Sequence, residues 1–189
     1  MKIDIDLLPS EIKNTIKSYS FFKPKNKKEL EDAIMFLHKS KKNSIKKHGH
    51  IGNWDTSLIN DMSYLFFEKK NFNFNISHWN VSNVKNMQGM FMGCKNLNQP
   101  LNNWDVSNVQ SMFKMFYECD NFNQSLNDWN VSNVTDMNGM FYQCLSFNQP
   151  LDRWIVSKVK FMNKLFCRCI KFNQYINKWD VSNVLDMNH

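Results

Sequence analysis

The chain has 189 residues, of which 42% are hydrophobic and 14% aromatic, and a formal net charge of +7. This is enough apolar material for one continuous core, but no stretch reaches the ~20 apolar residues that a membrane-crossing helix needs. The charge is uneven: residues 1–50 hold twelve Lys against six acids, while residues 51–189 hold twelve Lys and Arg against eleven acids. An elongated polyanion binder would spread its cations along its length, so nucleic-acid binding is a secondary reading confined to the basic residues 1–50.

The opening "MKIDIDLLPSEIKN" carries acids where a secretory signal needs an apolar run, which predicts an intracellular, cytoplasmic chain. Leu8, Ile12 and Ile16 recur at helical spacing, with Pro9 suited to a helix start and Glu11 to its first turn. Residues 1–22 therefore read as an N-terminal helix, and residues 23–53 as a helical cap that leads into residue 54. Within that cap a helix near Glu29–Lys47 places Leu30, Ile34 and Leu37 on one face.

From residue 54 the chain repeats itself. Trp54, Trp79, Trp104, Trp129, Trp154 and Trp179 are all the tryptophans in the sequence, each 25 residues from the next. A fixed period in the range of roughly 20–50 residues marks units that cannot bury an apolar face alone and so stack. Counting forward from each Trp, Ser stands at +3, Val or Ile at +5, Met at +8, Leu or Met at +11 and Phe at +12. Cys follows at +15 in four of five full units, and Phe or Leu at +18. In the fourth unit Val134, Met137, Met140, Phe141 and Cys144 fit one face of a 3.6-residue period, which predicts a short helix with Ser132 as its N-cap. Pro100 and Pro150 exclude a helix from the other half of the unit and predict a short extended segment, paired in parallel with its neighbours.

Stacking also accounts for polar residues held in columns. Asn73, Asn98, Asn123, Asn148 and Asn173, followed by Gln at the next position in four units, predict ladders of side-chain amides between copies. The cysteine column Cys94, Cys119, Cys144 and Cys169 lacks the close spacing of a zinc site and reads as small buried thiols. Five His fall in no column, and no nucleophile, base and orienting group can be brought together. The expectation is therefore a non-enzyme without catalytic, metal or cofactor residues.

The run W-[DN]-V-S-N-V-x-x-M-x-x-M-F-x-x-C-x-x-F-N-Q-x-L, over residues 54–189, resembles the BspA-like leucine-rich-repeat family in its 25-residue, lipoprotein-associated variety. The resemblance implies an α/β repeat solenoid, a leucine-rich-repeat-like right-handed coil with one short parallel strand and one short helix per repeat. It also implies a binding function and brings no catalytic residues. "LPSEIKNTIKSY" (Leu8 to Tyr19) is similar to the opening of an F-box, which implies docking of Leu8, Pro9, Ile12 and Ile16 on a Skp1-like protein.

The leading functional expectation is a protein–protein interaction module with an unknown protein partner. The F-box-like ubiquitin-ligase adaptor and the polyanion binder are the alternatives. Positions that vary between repeats face outward, which nominates Phe113, Tyr117 and Tyr142 as exposed aromatics, with Lys160, Lys164 and Arg168 as a basic stripe at helical spacing. The sixth unit is partial, ending in "NVLDMNH", which predicts either a shortened array or an uncapped end that frays or self-associates.

Overall fold

A computed structural model describes residues 21–188. The chain enters through two helices. Asn26 caps α1 (Lys27–Lys39): its side-chain oxygen accepts the Glu29 N–H, while the Glu29 carboxylate accepts the Lys25 N–H. Leu30, Ala33, Ile34 and Leu37 form the buried face of α1, and α2 (Lys41–His48) packs beside it before Gly49 turns the chain at φ 71°. A single 3₁₀ turn, Ile51–Asn53, delivers the first tryptophan. The predicted helix over 29–47 is thus two helices broken at Ser40.

Beyond Trp54 the expected α/β solenoid does not form. The described residues contain only these two α-helices and no strand, so the helix and the strand of each repeat are both absent. Each 25-residue unit is instead a closed series of turns, here called a rung, numbered one to six from its tryptophan. Parallel pairing is limited to single residues at +7, running Asp61 to Asn86, Ser111, Asp136, Phe161 and Asp186.

The reason that no helix forms lies in the backbone at +10 and +14. Tyr64, Gly89, Lys114, Gly139 and Lys164 at +10 all have φ between 51° and 59°, and Glu68, Gly93, Glu118, Gln143 and Arg168 at +14 are also left-handed. One left-handed residue every fourth position breaks a right-handed helix before it completes a second turn. It also turns alternate N–H groups out of the rung. The N–H groups at +8, +10, +12 and +14 donate to carbonyls 24 residues ahead: Met62 to Asn86, Tyr64 to Gln88, Phe66 to Met90 and Glu68 to Met92, at 2.8–2.9 Å. The same four bonds recur at the next three junctions. Local bonds such as Leu65 N–H to the Met62 carbonyl, three residues back, keep apolar side chains at +8, +11, +12 and +15 on one side. That mimics helical periodicity without a helix.

The other half of the rung is bound through side chains. The Asn73 carbonyl oxygen accepts both the backbone N–H of Asn98 and the amide of Gln99 on the next rung, and Asn98, Asn123 and Asn148 repeat this. The amide ladder therefore runs from each Asn oxygen to the following Asn backbone and Gln side chain, not from copy to copy. The predicted Ser N-cap has no helix to cap. The residue at +1 forms the turn: Asp55, Asn80, Asp105, Asn130 and Asp180 accept the N–H of the Ser two positions on.

The core fills the inside of the rungs. Phe66, Phe91, Phe116, Phe141 and Phe166 stack in file with centroids 5.5–5.6 Å apart. Trp54–Trp79, Trp104–Trp129 and Trp154–Trp179 are stacked pairs at 6.3, 6.4 and 6.1 Å. Each tryptophan from Trp79 onward donates its indole N–H to a carbonyl 28 residues back; Trp129, for example, bonds Leu101 at 2.9 Å. Trp129→Phe retains most of the ring but removes the donor from a site that is 2% exposed, and is expected to cost about 1–3 kcal/mol in chemical denaturation.

Lys23 ties the lead-in segment to rung one, its ammonium lying 2.7 Å from Asp55. Hydrogen bonds from Lys23 and Ser57 lower the Asp55 carboxyl from 3.8 to about 2. Because the folded value lies below the unfolded one, the stabilisation is present above about pH 4 and is lost as pH falls toward 2. Lys23→Ala should bring the Asp55 carboxyl back toward its ordinary value in an NMR titration and flatten the acid limb of stability.

Candidate functional site

The left-handed wall determines which side chains reach solvent. At +9, +10, +13 and +14 side chains leave the core side, and on rungs three to six they form a groove of about 560 Å³ lined by Phe113, Lys114, Tyr117, Asn138, Gly139, Tyr142, Asn163, Lys164 and Asn188. Gly139 makes room for it. With φ 59°, it has no side chain, and a Cβ there would meet Lys114 Cγ at 3.4 Å and Tyr117 Cδ2 at 3.6 Å.

Tyr117 and Tyr142 stack with centroids 4.4 Å apart and planes within 7°. The Lys114 ammonium lies 5.2 Å from the Tyr117 ring and 5.0 Å from Phe113, and the Arg168 guanidinium lies 5.8 Å from the Tyr142 ring. Burial and the neighbouring Tyr142 and Glu118 push the Tyr117 hydroxyl up, so it stays a neutral hydrogen-bonding group. Among the described residues, Lys114, Lys164 and Arg168 make no ion pair, as is true of most Lys and Arg there; Lys23, Lys27, Lys28, Lys95 and Arg153 have a carboxylate partner.

Of the residues nominated from sequence, Phe113, Tyr117, Tyr142 and Lys164 line this groove together, and Arg168, outside its lining, lies over the Tyr142 ring. Lys160 does not join them; it stands at +6, where its N–H bonds the Thr135 carbonyl. The basic stripe thus disappears with the helix that was to display it. Leu8, Pro9, Ile12 and Ile16 lie outside the described residues. Sequence reading missed Asn138, Gly139 and Asn163, although alternation of Gly with large residues at +10 was a visible sign of a floor beneath them. It also missed Asn at +4, where Asn83, Asn108, Asn133 and Asn183 each donate to a Ser carbonyl 26 residues back.

The cysteine column lies in the core. The thiols of Cys94, Cys119, Cys144 and Cys169 donate to the carbonyls of Phe66, Phe91, Phe116 and Phe141. Burial pushes Cys94 up to about 12 and Cys169 to about 11. No group of three or more His, Cys, Asp or Glu suited to a metal ion occurs among the described residues. No helix among them is long and apolar enough to cross a membrane.

A scan against family models matches the family described as "Mycoplasma protein of unknown function, DUF285" over residues 33–154 and again over 101–189. The chain belongs to the DUF285 family. This corrects the resemblance to BspA-like leucine-rich repeats, and no F-box model matches this DUF285 chain either. Searches of curated proteins and of solved structures find no match.

Native alkylation should discriminate the thiols. Cys167, partly exposed at +13, is expected to react with iodoacetamide near pH 8, while Cys94, Cys119 and Cys144 remain unlabelled until denaturant is added, as read by peptide mass spectrometry.

Proposed function

We propose that this DUF285 chain is a protein-binding module without catalytic activity of its own, and that the groove on rungs three to six is its contact surface. The observation that carries this reading is the stacked Tyr117–Tyr142 pair, flanked by cations that have no carboxylate partner among the described residues. Elsewhere the polar side chains are largely used between rungs: Asn at +4 and +19 bond the neighbouring rung, and each tryptophan N–H from Trp79 onward bonds a carbonyl 28 residues back. Asn138 and Asn163 of the groove share that task, Asn138 accepting the Asn163 N–H and Asn163 the Asn188 N–H, and its aromatic rings and cations are the part left over. Rungs one and two carry Tyr64, Phe67, Gly89 and Met92 at the same places and keep the same backbone bonds. Aromatic and Arg side chains at a partly buried recess are the residue types that anchor protein interfaces.

The test is affinity capture from cells with the intact chain and with the double variant Tyr117→Ala/Tyr142→Ala, with quantitative mass spectrometry of both eluates. The expected result is at least one protein recovered by the intact chain and lost with the variant, whose unfolding midpoint is unchanged. Identical recoveries would reject the groove as the contact surface.

A further inference from the structure

Resting on that reading, we propose that the groove's partner is an extended acidic peptide segment lying along the stack, with two carboxylate side chains three or four residues apart. One carboxylate meets Lys114 on rung three and the other meets Lys164 and Arg168 on rung five.

The ring geometry comes first. Tyr142 stands between Tyr117 on rung three and Arg168 on rung five, so neither of its faces is open; Tyr117 gives one face to Tyr142 and has Lys114 against its ring. A nucleobase or other flat group would have to displace a cation to stack there. What the groove offers a visitor is the hydroxyl edges of two phenols and cationic N–H donors at either end, the Asn163 amide being already engaged by Asp186 and the Asn188 N–H. These are donors for oxygen acceptors, and charged ones favour carboxylates.

Spacing supplies the second constraint. The phenylalanine file gives 5.6 Å per rung at these positions, so cations on rungs three and five are separated by about two rungs, roughly 11 Å. A single carboxylate cannot bridge that distance. An extended chain rises ~3.3 Å per residue, so acids three or four residues apart can meet both ends while the intervening backbone bonds the phenol hydroxyls. Glu118, on rung three next to Tyr117, opposes an acid at that end, and the strongest attraction therefore lies toward Lys164 and Arg168.

The backbone provides variants that keep the fold. Lys114 and Arg168 have φ 51° and 61°, and glycine already occupies these columns at Gly89, Gly139 and Gly93, so Lys114→Gly and Arg168→Gly remove charge where glycine is at ease.

The experiment is fluorescence anisotropy with the full chain and a labelled peptide of about ten residues carrying two Glu at the stated spacing. Matched probes carry Gln in place of Glu, phosphoserine in place of one Glu, or are a short single-stranded DNA. The expected result is salt-sensitive binding of the Glu peptide. Lys114→Gly and Arg168→Gly should weaken it roughly two- to five-fold each and about ten-fold together, with Lys160→Ala unchanged. Equal affinity for the Gln peptide, lost with Tyr117→Ala/Tyr142→Ala, would overturn the acidic partner and leave the groove as a protein-binding surface. No binding of the Glu peptide would likewise overturn this inference, and capture of a groove-dependent protein would then show that only the inference had failed. Markedly tighter binding of the phosphoserine peptide would replace carboxylate with phosphate. Tighter binding of DNA, lost with the same glycine variants, would overturn both readings.

Discussion

The structure depends on where the N–H groups at +8, +10, +12 and +14 find acceptors. A left-handed residue at every fourth position turns them out of their own rung, and buried donors without acceptors cost more than the strain that turns them. Only the next rung supplies carbonyls at the right height, as in the bond of Phe66 N–H to Met90. Everything else is held by this wall. It brings Phe66, Phe91 and Phe116 into file, fixes the carbonyl that each indole N–H meets, and places the cysteine thiols under the carbonyls of the preceding rung. The non-glycine residues in left-handed geometry, Lys114 and Arg168 among them, are strained at the same positions that border the groove.

Much of the packing was legible from residues alone. The columns at +5, +8, +11, +12 and +15 mark side chains that are buried, and the helix with Leu30, Ile34 and Leu37 facing inward is present in α1. The secondary structure was not legible, for a physical reason. Val134, Met137, Met140, Phe141 and Cys144 lie on one side at spacings of three and four, and a helix and a chain of three-residue turns with left-handed corners both produce that pattern. The sign that separates them is glycine at the corner positions, Gly89 and Gly93 four apart on one rung and Gly139 on another, which is poor for a helix and ideal for a corner. The sign is hidden because Lys, Tyr, Glu and Gln take the same conformation on other rungs.

The candidate groove was half legible for a related reason. Phe113, Tyr117 and Tyr142 stood out as aromatics at varying positions, and they do come together. Lys160 was grouped with Lys164 and Arg168 only because a helix was assumed. Once the corner at Lys164 replaces the helix, Lys160 is no longer grouped with it, and Lys164 lines the groove with Lys114, fifty residues earlier, instead.

The recurring bonds between rungs span 24, 25, 26 or 28 residues, and these have counterparts one unit further along. The length of this protein is therefore quantised. Gain or loss of a whole unit returns every donor to an equivalent acceptor, whereas a single extra residue between Trp104 and Trp129 puts a polar atom where each apolar one belongs across two junctions at once. Such a molecule can be lengthened or shortened in steps of twenty-five, carrying a longer or shorter outer face, while its interior barely registers the change.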